Sequence, residues 1–190
     1  MNLSTPLFVR TAVSQTEKAY SALEEMIVTG ELPPGSQWSE TTLSERVGIG
    51  RSPVRDALQK LAFQRLVEIA PRQGIFISEI DYQGQLKIIQ ARREIERLIV
   101  AQAAQWADDS ERAELARLAR ELEDLKAVND MRVYMRLHFA LTSQIGAASR
   151  NSYAAEFHAM LQTLARRFLY FHQKRHPDLV QICELHIQQV

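Results

Sequence analysis

The chain has 190 residues, 46% hydrophobic and 24% charged, with 23 basic and 23 acidic side chains and no net charge. That length and balance describe a globular protein of one large or two small domains, either able to bury a core. No apolar run approaches the roughly 20 residues that span a bilayer, the start MNLSTPLFVRTAVSQTEK lacks the pattern of a secretory signal, and a single cysteine, Cys183, excludes a disulfide framework or a thiolate metal site within one chain, so a cytoplasmic location is expected.

Residues 16–29 read as a helix with Ala19, Leu23, Met26 and Ile27 along one stripe. Gly30 stops it, and ELPPGSQ is a Pro/Gly turn that no helix crosses. Ser39 stands where an N-cap belongs, before a short helix with Leu43 and Val47 on its inner face. Gly48 closes that helix, and Ile49 is expected to be the buried residue of a tight turn. A third helix runs to about Gln64, with Val54, Leu58 and Leu61 at steps of four and three. After Leu66 the period changes to alternation. Val67 and Ile69 precede PRQG and Ile75 and Ile77 follow it, which predicts two short strands in a hairpin. Helix, helix, tight turn, helix, hairpin is the order of a winged helix-turn-helix, whose second motif helix enters the major groove of DNA.

Beyond Tyr82 no strand signal remains. Residues 85–106, 110–128, 131–147, 153–172 and 179 to the end carry apolar side chains at three- and four-residue steps, separated by ADDS, VND and ASRN. That pattern predicts an antiparallel helical bundle. The expected fold is mostly α: a winged helix-turn-helix over residues 1–80, then an all-α bundle over 81–190. There is no internal repeat and no low-complexity stretch.

The neutral total charge hides a local excess. Between Arg46 and Arg72 lie Arg46, Arg51, Arg55, Lys60, Arg65 and Arg72, opposed only by Asp56 and Glu68. By charge alone such a patch describes a solvated helix face; next to DNA it is the local surface that counts. A helix that reads DNA presents its first turn to the groove, where free N–H groups favour phosphate. Gly50 or Ser52 can cap this one, and Pro53 falls in the first turn, where its missing N–H costs nothing. Arg51 and Arg55 then share one face, with Gln59 a turn further on. An arginine can grip guanine O6 and N7 with two hydrogen bonds, and Ser52, Thr41 and Thr42 suit phosphate.

The stretch MIVTGELPPGSQWSETTLSERVGIGRSPVRDALQKLAFQRLVEIAPRQGIFIS resembles the DNA-binding domain of the GntR family of bacterial transcription regulators. The G-x-L-x-P-G turn, the L-x-E-x-x-G helix, the R-S-P-V-R-D-A-L run and the wing appear in order. The resemblance implies that Arg51 and Arg55 contact bases and that the wing tip, Arg72, Gln73 and Gly74, touches the minor groove or backbone. Two positions depart from the family. Arg65 stands where a glycine usually ends the recognition helix, and Gly50 stands where Ser or Thr is common, which removes one phosphate contact.

Residues 81–190 resemble, more weakly, the all-helical FCD effector domain of the FadR-type branch. ARREIERLIVAQAAQWA is similar to its first long helix, which implies that Arg92 faces a central cavity with Glu96 four residues on. An inward arginine suits a small carboxylate effector. The residues alone equally describe an i,i+4 salt bridge on a solvated face. In MRVYMRLHFALTSQIGAASRN, the family pattern of Asp-x-x-x-His with a later asparagine leaves His138 and Asn151 in place and puts Tyr134 at the aspartate position. His186 matches a further family histidine, and a last one would lie beyond Val190. The resemblance therefore implies a divalent metal (Zn, Ni or Fe) at His138 and His186, with Arg92, Tyr134 and Asn151 as effector residues. The residues themselves leave His138 equally readable as a hydrogen-bonded core histidine. His158, His172 and His176 have no convincing partner spacing and read as surface or core. The last helix ends at Val190 without a stop signal, so the chain is either cut short or a variant with an open cavity.

The expected function is a sequence-specific DNA-binding regulator, a repressor, acting as a homodimer on a pseudo-palindromic operator and sensing a small organic acid. The rivals are an architectural DNA-binding dimer without effector, and a metal-dependent enzyme fused to a DNA-binding domain. The last lacks a carboxylate at a useful offset from His138 and any nucleophile motif.

Overall fold

The computed structural model describes residues 13–125 and 130–173. The chain divides into two compact units, Met1–Glu79 and Ile80–Val190. In the first unit the elements are α1 (Gln15–Val28), β1 (Gln37–Trp38), α2 (Glu40–Val47), α3 (Arg51–Phe63), β2 (Val67–Ala70) and β3 (Gly74–Ile77). Ser14 caps α1 by accepting the Glu17 N–H at 3.1 Å, and Ser39 caps α2 by accepting the Thr42 N–H at 3.0 Å. Ala19, Leu23 and Ile27 of α1 and Val54, Ala57, Leu58 and Leu61 of α3 are buried where these helices pack. Leu32, Leu43, Leu66, Val67, Ile75 and Ile77 complete the core.

The sheet is antiparallel with strand order β1-β3-β2. The alternation around PRQG predicted β2 and β3, which pair with Val67 opposite Ile77 and Ala70 opposite Gly74. It did not predict β1, because a two-residue strand has no room to alternate. Gln37 and Trp38 pair there with Phe76 and Ile75. Ile49, expected to be buried in the turn, is half-buried. The turn is held instead by the backbone, with the Ile49 N–H on the Ser44 carbonyl at 3.2 Å.

Among the glycines at positive φ, Gly48 and Gly74 bear on the motif and its wing. Gly48 ends α2 in the left-handed region at φ 66° with open space around its missing side chain. Gly74 has φ 116°, and a Cβ there would lie 2.7 Å from the Trp38 carbonyl oxygen, where β1 crosses β3.

The second unit consists, among the described residues, of α4 (Tyr82–Trp106), α5 (Asp109–Leu125), α6 (Met131–Ala148) and α7 (Ser152–Gln173). Its first helix begins three residues before the apolar period does, because Asp81 caps it, accepting the Gly84 N–H at 2.7 Å. α7 packs on α4 and α6, α4 on α6, and α5 along α6. Arg112 of α5 donates to the Ala104 and Ala107 carbonyls at 2.8 and 3.1 Å, satisfying the end of α4. At the tight α6–α7 connection, Gly146 comes so close to α7 that a Cβ would sit 3.1 Å from that of Ala155. The expected helix from residue 179 and the last turn of the 110–128 helix lie outside the described residues. No helix among the described residues is long and apolar enough to cross a membrane.

The two glycines separate backbone strain from collision. Gly48→Ala adds only the left-handed strain, about 1–2 kcal/mol, whereas Gly74→Ala combines a positive φ outside the left-handed helical region with a clash against the Trp38 carbonyl. Urea denaturation is expected to show the N-terminal unit losing more stability in Gly74→Ala than in Gly48→Ala.

Candidate functional site

Two arrangements in the structure can carry chemistry, one in each unit. In the first, the buried face of α3 turns Arg51, Ser52, Arg55 and Gln59 to solvent, all four exposed. Steps of four place Arg51, Arg55 and Gln59 on one ridge. Gly50 is the N-cap and offers no side-chain acceptor, so the first N–H groups of α3 keep no side-chain partner at the cap. The missing N–H of Pro53 is one of those groups, and the proline removes no helical bond.

Arg55 is not free. Its Nε donates to Glu40 Oε2 and its Nη2 to Glu40 Oε1, both at 2.9 Å. This hydrogen-bonded carboxylate raises the affinity of the Arg55 guanidinium for its proton, the bonds first and the charge second. Glu40 was not singled out in the sequence. An acid in the first turn of a helix reads as a dipole partner, and no spacing rule links residues fifteen positions apart on different helices.

On the same helix as Glu40, Thr42 is exposed and Thr41 half-buried. The Thr42 hydroxyl lies 2.8 Å from Ser39 Oγ, so it is already shared with the cap. At the wing tip Arg72 and Gln73 are exposed and Gly74 half-buried. The Gln73 N–H donates to the Ala70 carbonyl at 3.1 Å, closing a turn with Pro71 second and Arg72 third. Arg72 has φ 62°, the left-handed value that a type II turn demands of its third residue and that glycine or asparagine usually supplies. Gln37 Nε2 donates to the Gln73 carbonyl at 2.6 Å and ties the tip to β1. Arg65, which stands where the resemblance expects glycine, also lies at φ 62° and is exposed.

The second arrangement is a buried polar chain across α4, α7 and α6. Arg92 Nε lies 3.6 Å from Glu96 Oε2, and Arg92 Nη1 donates to Gln162 Oε1 at 3.1 Å. Gln162 Nε2 reaches His138 Nδ1 at 2.8 Å, and the His138 ring stacks on Tyr134 with centroids 5.5 Å apart. His138, Tyr134 and Gln162 are buried. The i,i+4 pair of Arg92 and Glu96 is thus formed, but not on a solvated face: the two side chains are 22% and 13% exposed.

Sequence reasoning missed two members of this region. Gln162 was not singled out, and His158 was set aside for want of a partner at a suitable spacing. His158 is buried with Nε2 3.8 Å from Glu96 Oε1, too far for a hydrogen bond. The four-residue step from His158 to Gln162 on α7 was the available signal. Asn151, expected as an effector residue, stands at the start of α7. It caps α7 by accepting the Ala154 N–H at 3.1 Å and donates to Gln102 at 3.2 Å. His186 lies outside the described residues. Among the described residues no three His, Cys, Asp or Glu side chains come together as a metal site.

The description "Bacterial regulatory proteins, gntR family" matches residues 15–77, and "FCD domain" matches residues 87–190. The HTH-type transcriptional regulator McbR of Escherichia coli (strain K12) is 29% identical over 119 residues, 63% of this chain and 54% of that protein. The HTH-type transcriptional repressor GlaR of the same organism is 26% identical over 174 residues, 87% of this chain and 77% of that protein. The solved structure of E. coli McbR/YncC superposes with a TM-score of 0.78 at 24% identity, covering 93% of this chain and 82% of that one, and shares its fold. The chain spans between 26% and 54% of the length of three curated relatives that it matches, McbR among them. With the winged unit matched from α1 to β3 and more than half of the chain matched as FCD, the protein belongs to the GntR family of bacterial regulatory proteins and carries an FCD domain.

Proposed function

We propose that the chain is a cytoplasmic repressor that binds a pseudo-palindromic operator as a homodimer through residues 1–80 and senses a small carboxylate through residues 81–190. The observation that carries the DNA half is the ridge of Arg51, Arg55 and Gln59, exposed by the burial of Val54, Leu58 and Leu61 on the opposite side of α3. Arg51 and Arg55 read base edges, Gly50, Ser52, Thr41 and Thr42 set the register on phosphates, and Arg72, Gln73 and Gly74 at the wing tip meet the backbone or minor groove. Arg72 supports this role by its conformation: a cation is kept at a turn position where a glycine would be unstrained. The description of GlaR as a repressor supports the sign of regulation.

The carboxylate half rests on Arg92. Its guanidinium is held between Glu96 and Gln162 in a half-buried position, where a charge-assisted fork to an incoming carboxylate is stronger than at the surface. Tyr134 and His138, joined to Arg92 through Gln162, supply a stacked polar wall. For a metal, the described residues offer His138 with Nδ1 engaged by Gln162, and tyrosine where the family has aspartate. That donor set does not by itself fit an ion, and the proposal needs none. An effector acts only by binding one arrangement of the dimer better than the other.

Three outcomes are expected. Arg51→Ala and Arg55→Ala each weaken binding to a selected operator by roughly 5- to 100-fold, the range of one bidentate base contact, with much smaller losses on random duplex; equal losses on both would remove base readout. Arg72→Gly relaxes the wing turn, so its melting temperature holds or rises, yet it binds every duplex more weakly and its salt slope falls by about 1. Short mono- and dicarboxylates raise the melting temperature of the chain by preferential binding and change its operator affinity, and Arg92→Leu loses both responses. A panel in which no carboxylate does either leaves an architectural DNA-binding dimer as the reading.

A further inference from the structure

Glu40 has no part in the reading above, and its geometry is specific. It is the first residue of α2, following the Ser39 cap, and Leu43, fully buried, anchors that helix in the core. The carboxylate is therefore presented by a fixed helix end. It takes Arg55 side-on, through Nε and Nη2 at 2.9 Å each. A guanidinium carries five N–H donors in two forks. Holding the side-on fork leaves the end-on fork, Nη1 with the second N–H of Nη2, free of Glu40. That end-on pair still offers two parallel donors, which O6 and N7 of guanine can accept together.

The ion pair has little to contribute to the fold. The Arg55 side chain is 64% exposed, and exposed pairs add little to stability because solvent screens them. Its effects lie in what Arg55 can do. An unrestrained arginine at a groove edge samples many rotamers and collapses onto the nearest phosphate, which carries no sequence information. A carboxylate beside it opposes that collapse in two ways: it fixes the plane of the guanidinium, and its own charge repels phosphate.

We propose that Glu40 is a specificity-determining positioning residue, which pins the side-on edge of Arg55 so that the end-on fork reads a guanine and random DNA is bound less well. This rests on the reading that α3 is the DNA-reading helix. Glu40 lowers the total favourable charge of the surface and raises the ratio of specific to random binding.

The test begins with selection of duplexes from a randomised library by the full chain. Failure to enrich any motif would sink the DNA-reading proposal itself, independently of Glu40. With a motif in hand, wild type, Glu40→Gln, Arg55→Ala and the double variant are titrated against the consensus duplex, its single-base variants and a scrambled duplex, at two salt concentrations. Glu40→Gln is expected to reduce discrimination about tenfold at the guanine that Arg55→Ala identifies, to bind scrambled DNA as well as wild type or better, and to keep its melting temperature. In the Arg55→Ala background it changes nothing further at that base. Wild-type discrimination in Glu40→Gln overturns the inference, as does an equal loss on consensus and scrambled duplexes. So does a loss at that base that persists without Arg55.

Discussion

Everything proposed for the N-terminal unit depends on the burial of one helix face. Val54, Ala57, Leu58 and Leu61 of α3 lie against Ala19, Leu23 and Ile27 of α1 with almost no solvent exposure. Full burial of a Val- or Leu-sized side chain is worth about 1.5–3 kcal/mol, so rotating α3 to hide its arginines would sacrifice several such contacts. The rotation of the helix is fixed by its apolar side, and Arg51, Arg55 and Gln59 are exposed as a consequence. The wing follows from the same core. Val67, Ile75 and Ile77 bury one face of the hairpin, and the tip at Pro71 to Gly74 is carried outward with Arg72 on it.

The two units use charge in opposite settings. In the first, Arg55 and Glu40 pair in solvent, where the pair adds little to stability. In the second, Arg92, Glu96, Gln162 and His138 form a chain through the packed interface of α4, α7 and α6. Polar groups withdrawn from water need partners, so each member of that chain constrains the next. A ligand carboxylate entering there would have to replace or extend those partners, which is why such a region can couple binding to helix packing. The surface clusters are simpler. Arg150, in the left-handed region at φ 58°, bonds Glu111 at 2.6 and 2.7 Å and joins the start of α5 to the α6–α7 connection.

Legibility varied with the range of the interaction that decided each feature. Helices α1 to α7 were visible because their apolar periods are local, and Ser39 marked the start of α2, while the Ser14 and Asp81 caps emerged only with the structure. The exposed ridge of Arg51, Arg55 and Gln59 was visible for the same reason, as residues four apart on a helix share a face in any context. Strand β1 was invisible, since two residues carry no period and only their pairing with Phe76 and Ile75 defines them. Glu40 was invisible as a partner of Arg55, and His158 as a neighbour of Glu96, because each pair belongs to two different helices.

The sequence by itself determined the order of the helices and of the β2–β3 hairpin, the family, the two-unit organisation and the identity of the cations exposed by α3. Those follow from short-range rules: hydrophobic periodicity, capping, turn chemistry and a motif unbroken from Gly30 to Gly74. Tertiary structure alone decided that Arg55 is held by a carboxylate from the preceding helix, that Arg92 and Glu96 pair inside the bundle and not in water, and that Asn151 is spent on capping α7. The reason is physical. A side chain's face is set by its own helix, but its partners are set by whichever other helix the hydrophobic core brings alongside.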